Sequence, residues 1–331
     1  MKGSLKSDRN PSSQVMCVSH VKDVDGCVCA GLFKLAAQAR FLLTDYDRIN
    51  ECLRTIREPI DVVYLCDLGL NETNVEELDR IRGFAELTYV DHHPVDEGLV
   101  EQLKGIGVEI VHDVGDCASV LAFDLLHESL PHDAGLLAAY AAVSDRLEDG
   151  PIARELMQRY DRDLVYFEAM VLSFALDRAD GRLKRRIVKH LSALDYPHQI
   201  DDVPRLALEQ AERIAVLRKE LPSQATKYGS IAYVEAQEDS LGSIANLLLD
   251  VCEAAIGIGY NRDKKRHVVD LSIRGRERLD VDLGKVTAQL AKGFGGFGGG
   301  HPKACGARIP ASKLTEFIHA LAQHAKSEPC L

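Results

Sequence analysis

The stretch VMCVSHVKDVDGCVCAGLF, Val15 to Phe33, decides the fold. Its apolar run stops at His20, and Asp23 and Asp25 follow before a glycine and a second apolar run. Carboxylates between two core-forming segments are costly unless something cationic meets them. The stretch is therefore either an ordinary polar loop or part of a metal site. A short strand-like run followed by a helical one is also the start of a βαβ pattern.

Working outward, Val15–Ser19 is joined by Ile60–Cys66, Leu87–Val90 and Val108–Val111, short runs that alternate with helical stretches. This is the pattern of a parallel sheet in an α/β domain. From about Ile152 to Leu194 the pattern is helical and charged, and LDYPHQIDDVP (Leu194–Pro204) breaks it. A charged helix over about Arg205–Leu221 then leads to a second α/β segment, with strands near Ser230–Val234, Ala255–Tyr260 and His267–Ile273.

At 331 residues, 46% hydrophobic and 27% charged, the chain is long enough for two domains with substantial cores. The opening MKGSLKSDRNPSSQ has no apolar signal-peptide core, and no run of about 18 uncharged apolar residues occurs. The nine cysteines follow no disulfide framework. The expectation is a cytoplasmic protein with no membrane partner. A formal net charge of -11 disfavours a broad sheath for duplex DNA and suits a small or single-stranded anionic substrate.

In an open parallel sheet, functional groups gather just past the carboxyl ends of strands. VMCVS ends at His20, with Asp23 and Asp25 behind it; IDVVYLC ends at Asp67; LTYV ends at Asp91, His92 and His93; LLAAYAAVS ends at Asp145. Asp149, in SDRLEDG, is a rival to Asp145, which directly follows its apolar run. One such acid alone would read as a turn or a helix cap. Four runs delivering acids or imidazoles to one edge read as a site. Carboxylate and imidazole without thiolate suit manganese better than structural zinc. The group exceeds the needs of one ion and matches a pair sharing a bridging carboxylate, the arrangement that serves phosphate-ester hydrolysis.

GFGGFGGGHPKACG formally contains G-x-G-x-x-G, but it follows the helical VTAQLAKG and enters the strand-like ACGARI, the reverse of a dinucleotide fingerprint. The backbone of Gly298, Gly299 and Gly300, with His301 and Lys303, reads as a phosphate clamp, a flexible hinge being the alternative. Arg274 follows a strand, and its planar fork suits a phosphate. GRLKRRIVKH (Gly181–His190) reads as a solvated helix face, His127 and His132 as surface residues, and Ser119 as a helix cap rather than a phosphate donor.

SHVKDVDG, YLCDLG, YVDHHP and AVSD, in this order, resemble the four motifs of the DHH phosphoesterase family. GGGHPKACGARI (Gly298–Ile309) resembles the signature of that family's C-terminal DHH-associated domain, so the resemblance extends from about residue 15 to residue 320. It implies a disordered tail over 1–14, a parallel-sheet catalytic metal-binding domain over 15–194, a linker and helix over 195–227, and a smaller α/β substrate-binding domain over 228–331, with the active-site cleft between the two domains. It implies two manganese ions, with magnesium or cobalt as substitutes. His20 and Asp23 would hold the first ion and Asp25, His92 and Asp145 the second, with Asp67 bridging. Two residues separate His20 from Asp23, where many bacterial relatives have three. His93 would face the phosphate and Asp91 would orient a histidine. Arg274, the glycines, His301 and Lys303 would bind substrate.

The activity so implied is a phosphodiesterase for short RNA and for cyclic or linear dinucleotides such as cyclic di-AMP. The alternatives are an exonuclease on longer single-stranded DNA or RNA and a 3′-phosphoadenylate phosphatase. A non-catalytic scaffold is disfavoured because every ligand position is filled, and a pyrophosphatase because of the glycine loop. A homodimer is compatible with the sequence.

Overall fold

The computed structural model describes residues 13–236 and 239–324. The expected N-terminal tail therefore lies, but for its last two residues, outside the described residues. Two compact units divide between Ala211 and Glu212.

In the first unit, β1 (Val15–His20), β2 (Arg40–Thr44), β3 (Val62–Cys66), β4 (Glu86–Asp91) and β5 (Glu109–His112) form a sheet in the order β2-β1-β3-β4-β5. Every neighbouring pair is parallel. The opening run shows no alternation because the sheet is covered on both faces. Val15 and Cys17 point into one core, Met16 and Val18 into the other. On β3, Val62, Tyr64 and Cys66 likewise separate from Val63 and Leu65. The strand order reverses at β1, with β2 on one side and β3 on the other. A reversal of this kind opens a crevice at the carboxyl ends of the strands.

Sequence pattern alone does not reveal β2. RFLLT is a short edge strand that begins with an exposed arginine and is only partly buried over the next three residues. The run ending at Asp145 is also not a strand. It is the helix Gly135–Asp145, alanine-rich and buried almost throughout. The charged stretch beyond it forms helices Ala153–Arg159, Arg162–Arg178 and Gly181–Leu191. On the last of these Ile187, Val188 and Leu191 face inward, while Arg182, Arg185 and Lys189 are exposed. The break at Leu194–Pro204 does not end the first unit: Ile200, Val203 and Ala207 belong to its core. The division falls inside the helix Val203–Gln224.

The second unit contains β6 (Thr226–Tyr228), β7 (Ile231–Glu235), β8 (Ile256–Asp263), β9 (Val268–Gly275), β10 (Phe297–Gly300) and β11 (Ala304–Pro310). Their order is β10-β11-β9-β8-β7-β6, with only β7 and β8 parallel. β9 and β11 alternate between buried and partly buried residues, as a sheet with one packed face requires. Helices Leu283–Gly293 and Leu314–His324 supply Leu283, Ala291, Phe317 and Leu321 to that core. The glycine run is not wholly a loop: Phe297–Gly300 is an edge strand, in register with β11 from Phe297 opposite Arg308 to Gly300 opposite Cys305. Gly299 and Gly300 have φ of 152° and 133°, a backbone only glycine adopts without strain. Among the described residues no helix is long and apolar enough to cross a membrane.

Candidate metal centre

β1 ends at the buried His20, and the chain turns at once into the helix Val24–Ala37. Asp23 caps that helix, one carboxylate oxygen accepting from the Gly26 N–H at 3.1 Å, while its other oxygen lies 2.6 Å from His20 Nδ1. Gly26 is required because a side-chain carbon there would sit 2.2 Å from the His20 carbonyl oxygen. This tight return lets Asp25 follow Asp23 into the same site.

Asp25 is fully buried, and its oxygens accept from the backbone N–H groups of Ala118 at 2.9 Å and Ser119 at 2.7 Å. These groups open the helix Ala118–Leu126, whose N-terminus thereby holds a carboxylate of this chain. The Ser119 hydroxyl donates to the Asp25 carbonyl at 2.7 Å, so it neither caps its own helix nor serves a phosphate.

Asp67 directly follows β3 and is buried, with φ of 54°. Aspartate tolerates this left-handed conformation better than most residues. Its backbone N–H donates to the Val90 carbonyl at 3.1 Å. Its two oxygens face different neighbours: Oδ2 lies 3.5 Å from His20 Nδ1, and Oδ1 lies 3.5 Å from His92 Nε2. His92 Nε2 is also 3.7 Å from Asp25 and 3.5 Å from Asp145, which ends the helix Gly135–Asp145. The ligand atoms of His20, Asp23 and Asp67 lie within 4.8 Å of one another, as do those of Asp25, His92 and Asp145. Asp149 is exposed and belongs to neither group.

His93 makes its closest contact outside these two groups, although its Nδ1 also lies 3.8 Å from Asp67 Oδ1. Its Nδ1 lies 2.9 Å from Asp91 Oδ1, and the other Asp91 oxygen accepts from the Tyr89 hydroxyl. Asp91 is fully buried at the end of β4, so the imidazole is held by an acid that is itself fixed.

The electrostatics mark the cluster as short of positive charge. Among the described residues, no lysine or arginine pairs with Asp23, Asp25, Asp67 or Asp145. Burial, with Asp23 and Asp25 nearby, pushes the Asp67 carboxyl up to about 6. Burial and Asp25 raise Asp145 as well. Burial opposes the His92 imidazolium, but its hydrogen bond to Asp67 and the charges of Asp25 and Asp145 lift the ring to about 10. Asp67 Oδ2 and His20 Nε2 are buried without a hydrogen bond. Crowded acids and unsatisfied ligand atoms of this kind fit divalent cations in both groups. The donor set of oxygen and imidazole nitrogen suits manganese or a similar ion.

Sequence reasoning missed Asp45, Tyr46 and Tyr89. Asp45 Oδ1 lies 3.6 Å from His20 Nε2, and Asp45 Oδ2 is 2.5 Å from Lys22 Nζ. The signal was present in RFLLTDYD, another apolar run ending in an aspartate. His127 and His132 are exposed.

In the second unit Arg274 lies near the end of β9, opposite Ala304, and its Nη1 donates to the Ser272 hydroxyl and the Ile273 carbonyl, both at 3.0 Å. The His301 N–H donates to the Ala304 carbonyl at 2.9 Å, so Arg274 and His301 share one end of the sheet. Gly298, Gly299 and Gly300 form the adjoining edge, where one row of backbone groups lies outside the ladder. Lys303 is turned away: its ammonium donates to the carbonyls of Leu279 and Val281 and ties down that segment.

Residues 227–327 match the DHHA1 domain family. Over 95 residues the chain is 36% identical to an uncharacterised protein of Methanocaldococcus jannaschii, a match spanning 28% of this chain and 21% of that protein. In fold it is similar to the DHH domain of a member of a ribosomal protein family, with TM-score 0.70, 15% identity, and 96% of this chain and 88% of that one covered. It is similar also to RecJ of Thermus thermophilus in complex with Mn2+, with TM-score 0.64, 17% identity, and coverage of 96% and 52%. A pGpG-specific phosphodiesterase from Vibrio cholerae gives TM-score 0.56 at 13% identity, with 96% and 100% covered.

Proposed function

We propose, for a chain that combines the fold of the DHH phosphoesterases with a C-terminal DHHA1 domain, that it is a manganese-dependent phosphodiesterase of short oligoribonucleotides and cyclic or linear dinucleotides. The observation that carries this reading is Asp67, whose two oxygens face two separate groups of acids and imidazoles. His20 and Asp23 would hold one ion, Asp25, His92 and Asp145 the other, and Asp67 both.

Divalent ions held there would supply Lewis acidity toward the phosphoryl oxygens and lower the pKa of water. The protein's own groups supply the rest. Asp91 holds His93 by Nδ1 and leaves Nε2 as the ring's other donor, suited to a non-bridging oxygen or to the leaving group. Tyr89 fixes Asp91 and so limits rotation of the ring. Arg274, His301 and the glycine edge would hold a second phosphate, contributing orientation rather than chemistry. The net charge of -11 favours short substrates over long DNA.

The test is a panel of cyclic di-AMP, its linear form, RNA from two to about ten nucleotides, long single-stranded DNA and 3′-phosphoadenylate, with and without manganese. The reading predicts metal-dependent turnover confined to the dinucleotides and short RNA. Turnover of long DNA or of 3′-phosphoadenylate alone would reassign the substrate, and no turnover of any phosphoester would defeat the enzyme reading.

A further inference from the structure

Tyr46 follows the aspartate at the end of β2 and sits on the rim of the cluster. Its ring stacks on His20, with centroids 4.4 Å apart and planes 30° from parallel, and its hydroxyl is 3.2 Å from His93 Nε2. Asp45 fixes the turn, accepting from the Tyr46 N–H at 2.9 Å while its other oxygen meets Lys22. The phenol therefore rests on a histidine of the first ligand group and touches the nitrogen of His93 opposite the one that Asp91 holds. The residue is 40% exposed, unlike the buried His20, Asp67 and Asp91. Without a ligand the hydroxyl can accept from the Nε2–H of His93; when a phosphoryl group arrives, the hydroxyl and the Nε2–H can each donate to it instead.

We propose that the Tyr46 hydroxyl is a catalytic group of this site, forming with His93 Nε2 a two-donor cradle for the phosphoryl oxygens that gain charge during hydrolysis. The role rests on the phosphoesterase reading and adds a residue to it. No proton transfer is required of the phenol: it donates a hydrogen bond that strengthens as charge develops, the kind of contact whose removal typically costs about 10²–10³ in rate. The ring has a second, separable duty, because its stacking on His20 fixes the imidazole for the first ion.

The full-length protein, loaded with manganese, tests both duties. Tyr46→Phe keeps the ring and removes only the hydroxyl. Calorimetry should give manganese affinity within about twofold of wild type, and the affinity of the loaded protein for inorganic phosphate should fall by about tenfold. kcat should fall by at least about tenfold on bis(p-nitrophenyl) phosphate and on a linear dinucleotide alike, since the contact is to the phosphoryl group common to both. Tyr46→Ala should add a loss of manganese affinity. Wild-type phosphate affinity and wild-type turnover in Tyr46→Phe would overturn the proposal while leaving the phosphoesterase reading intact. A wild-type protein that hydrolyses no phosphoester fails that reading instead, and the phosphate titration still reports on Tyr46.

Discussion

Replacing Asp67 with asparagine should stabilise the metal-free protein and weaken the metal-loaded one. The folded protein holds the Asp67 carboxyl at about 6, against 3.8 for a free side chain, because it is buried beside Asp23 and Asp25. Keeping it ionised at neutral pH therefore costs folding free energy. The cost is complete above about pH 6 and vanishes as pH falls below about 4, where the carboxyl is protonated in both states. The difference corresponds to about 2–3 kcal/mol at neutral pH. Asparagine, nearly the same shape and neutral, removes that cost. With manganese present the balance inverts. The carboxylate presents an anionic oxygen to each group, whereas an amide offers one neutral oxygen and a donor to the other side. Outer partners of metal ligands already change affinity 10–100-fold, so loss of a direct bridging ligand should weaken manganese binding by about 10² or more. The assay is urea unfolding of both proteins at pH 7.5 and pH 4.5, in chelator and in manganese. Asp67→Asn should be the more stable in chelator at pH 7.5, lose most of that advantage at pH 4.5, and be the less stable in manganese. A variant less stable than wild type in chelator, or one that binds manganese as wild type does, would refute the reasoning.

His93→Ala should retain both ions by calorimetry and lose about 10² or more in kcat, since the closest contact of its ring is Asp91 at 2.9 Å, against 3.8 Å to Asp67; loss of metal equal to that in His92→Ala would merge the two roles. Arg274→Ala and His301→Ala should lose roughly ten- to a hundredfold in kcat/KM on dinucleotides while largely retaining activity on a nitrophenyl diester, and equal losses on both would move these residues into the chemistry. Gly26→Ala should lower stability by about 1–3 kcal/mol in thermal unfolding and loosen metal binding, because the added carbon meets the His20 carbonyl; an unchanged melting curve would contradict the tight turn.

The legible parts of this chain are those whose sequence signal and physical environment coincide. β1, β3 and β4 are buried on both faces, so their runs are apolar without interruption, and the acids that end them stand out. β2 has an edge to solvent and a leading arginine, so its run is short and mixed, and Asp45 and Tyr46 were lost with it. LLAAYAAVS is buried all round, which removes the periodicity that separates helix from strand. Its terminal Asp145 could be picked out while its element could not. Ser119 was legible as a helix start, but the occupant of that helix N-terminus, Asp25, is 94 residues away. Lys303 shows the opposite limit: a lysine beside a glycine run suggests an anion, and only the packing of Leu279 and Val281 shows what it holds. The two-sided exposure of Asp67 depends on a left-handed backbone that spacing does not encode.

The claim that organises all of this is that one carboxylate joins two metal groups. Anomalous diffraction at the manganese edge from crystals grown with the ion tests it most directly. The account predicts two peaks about 3.5–4 Å apart, one against His20 and Asp23, the other against Asp25, His92 and Asp145, each in contact with a different oxygen of Asp67. A single peak, or two peaks of which either stands clear of Asp67, would contradict it.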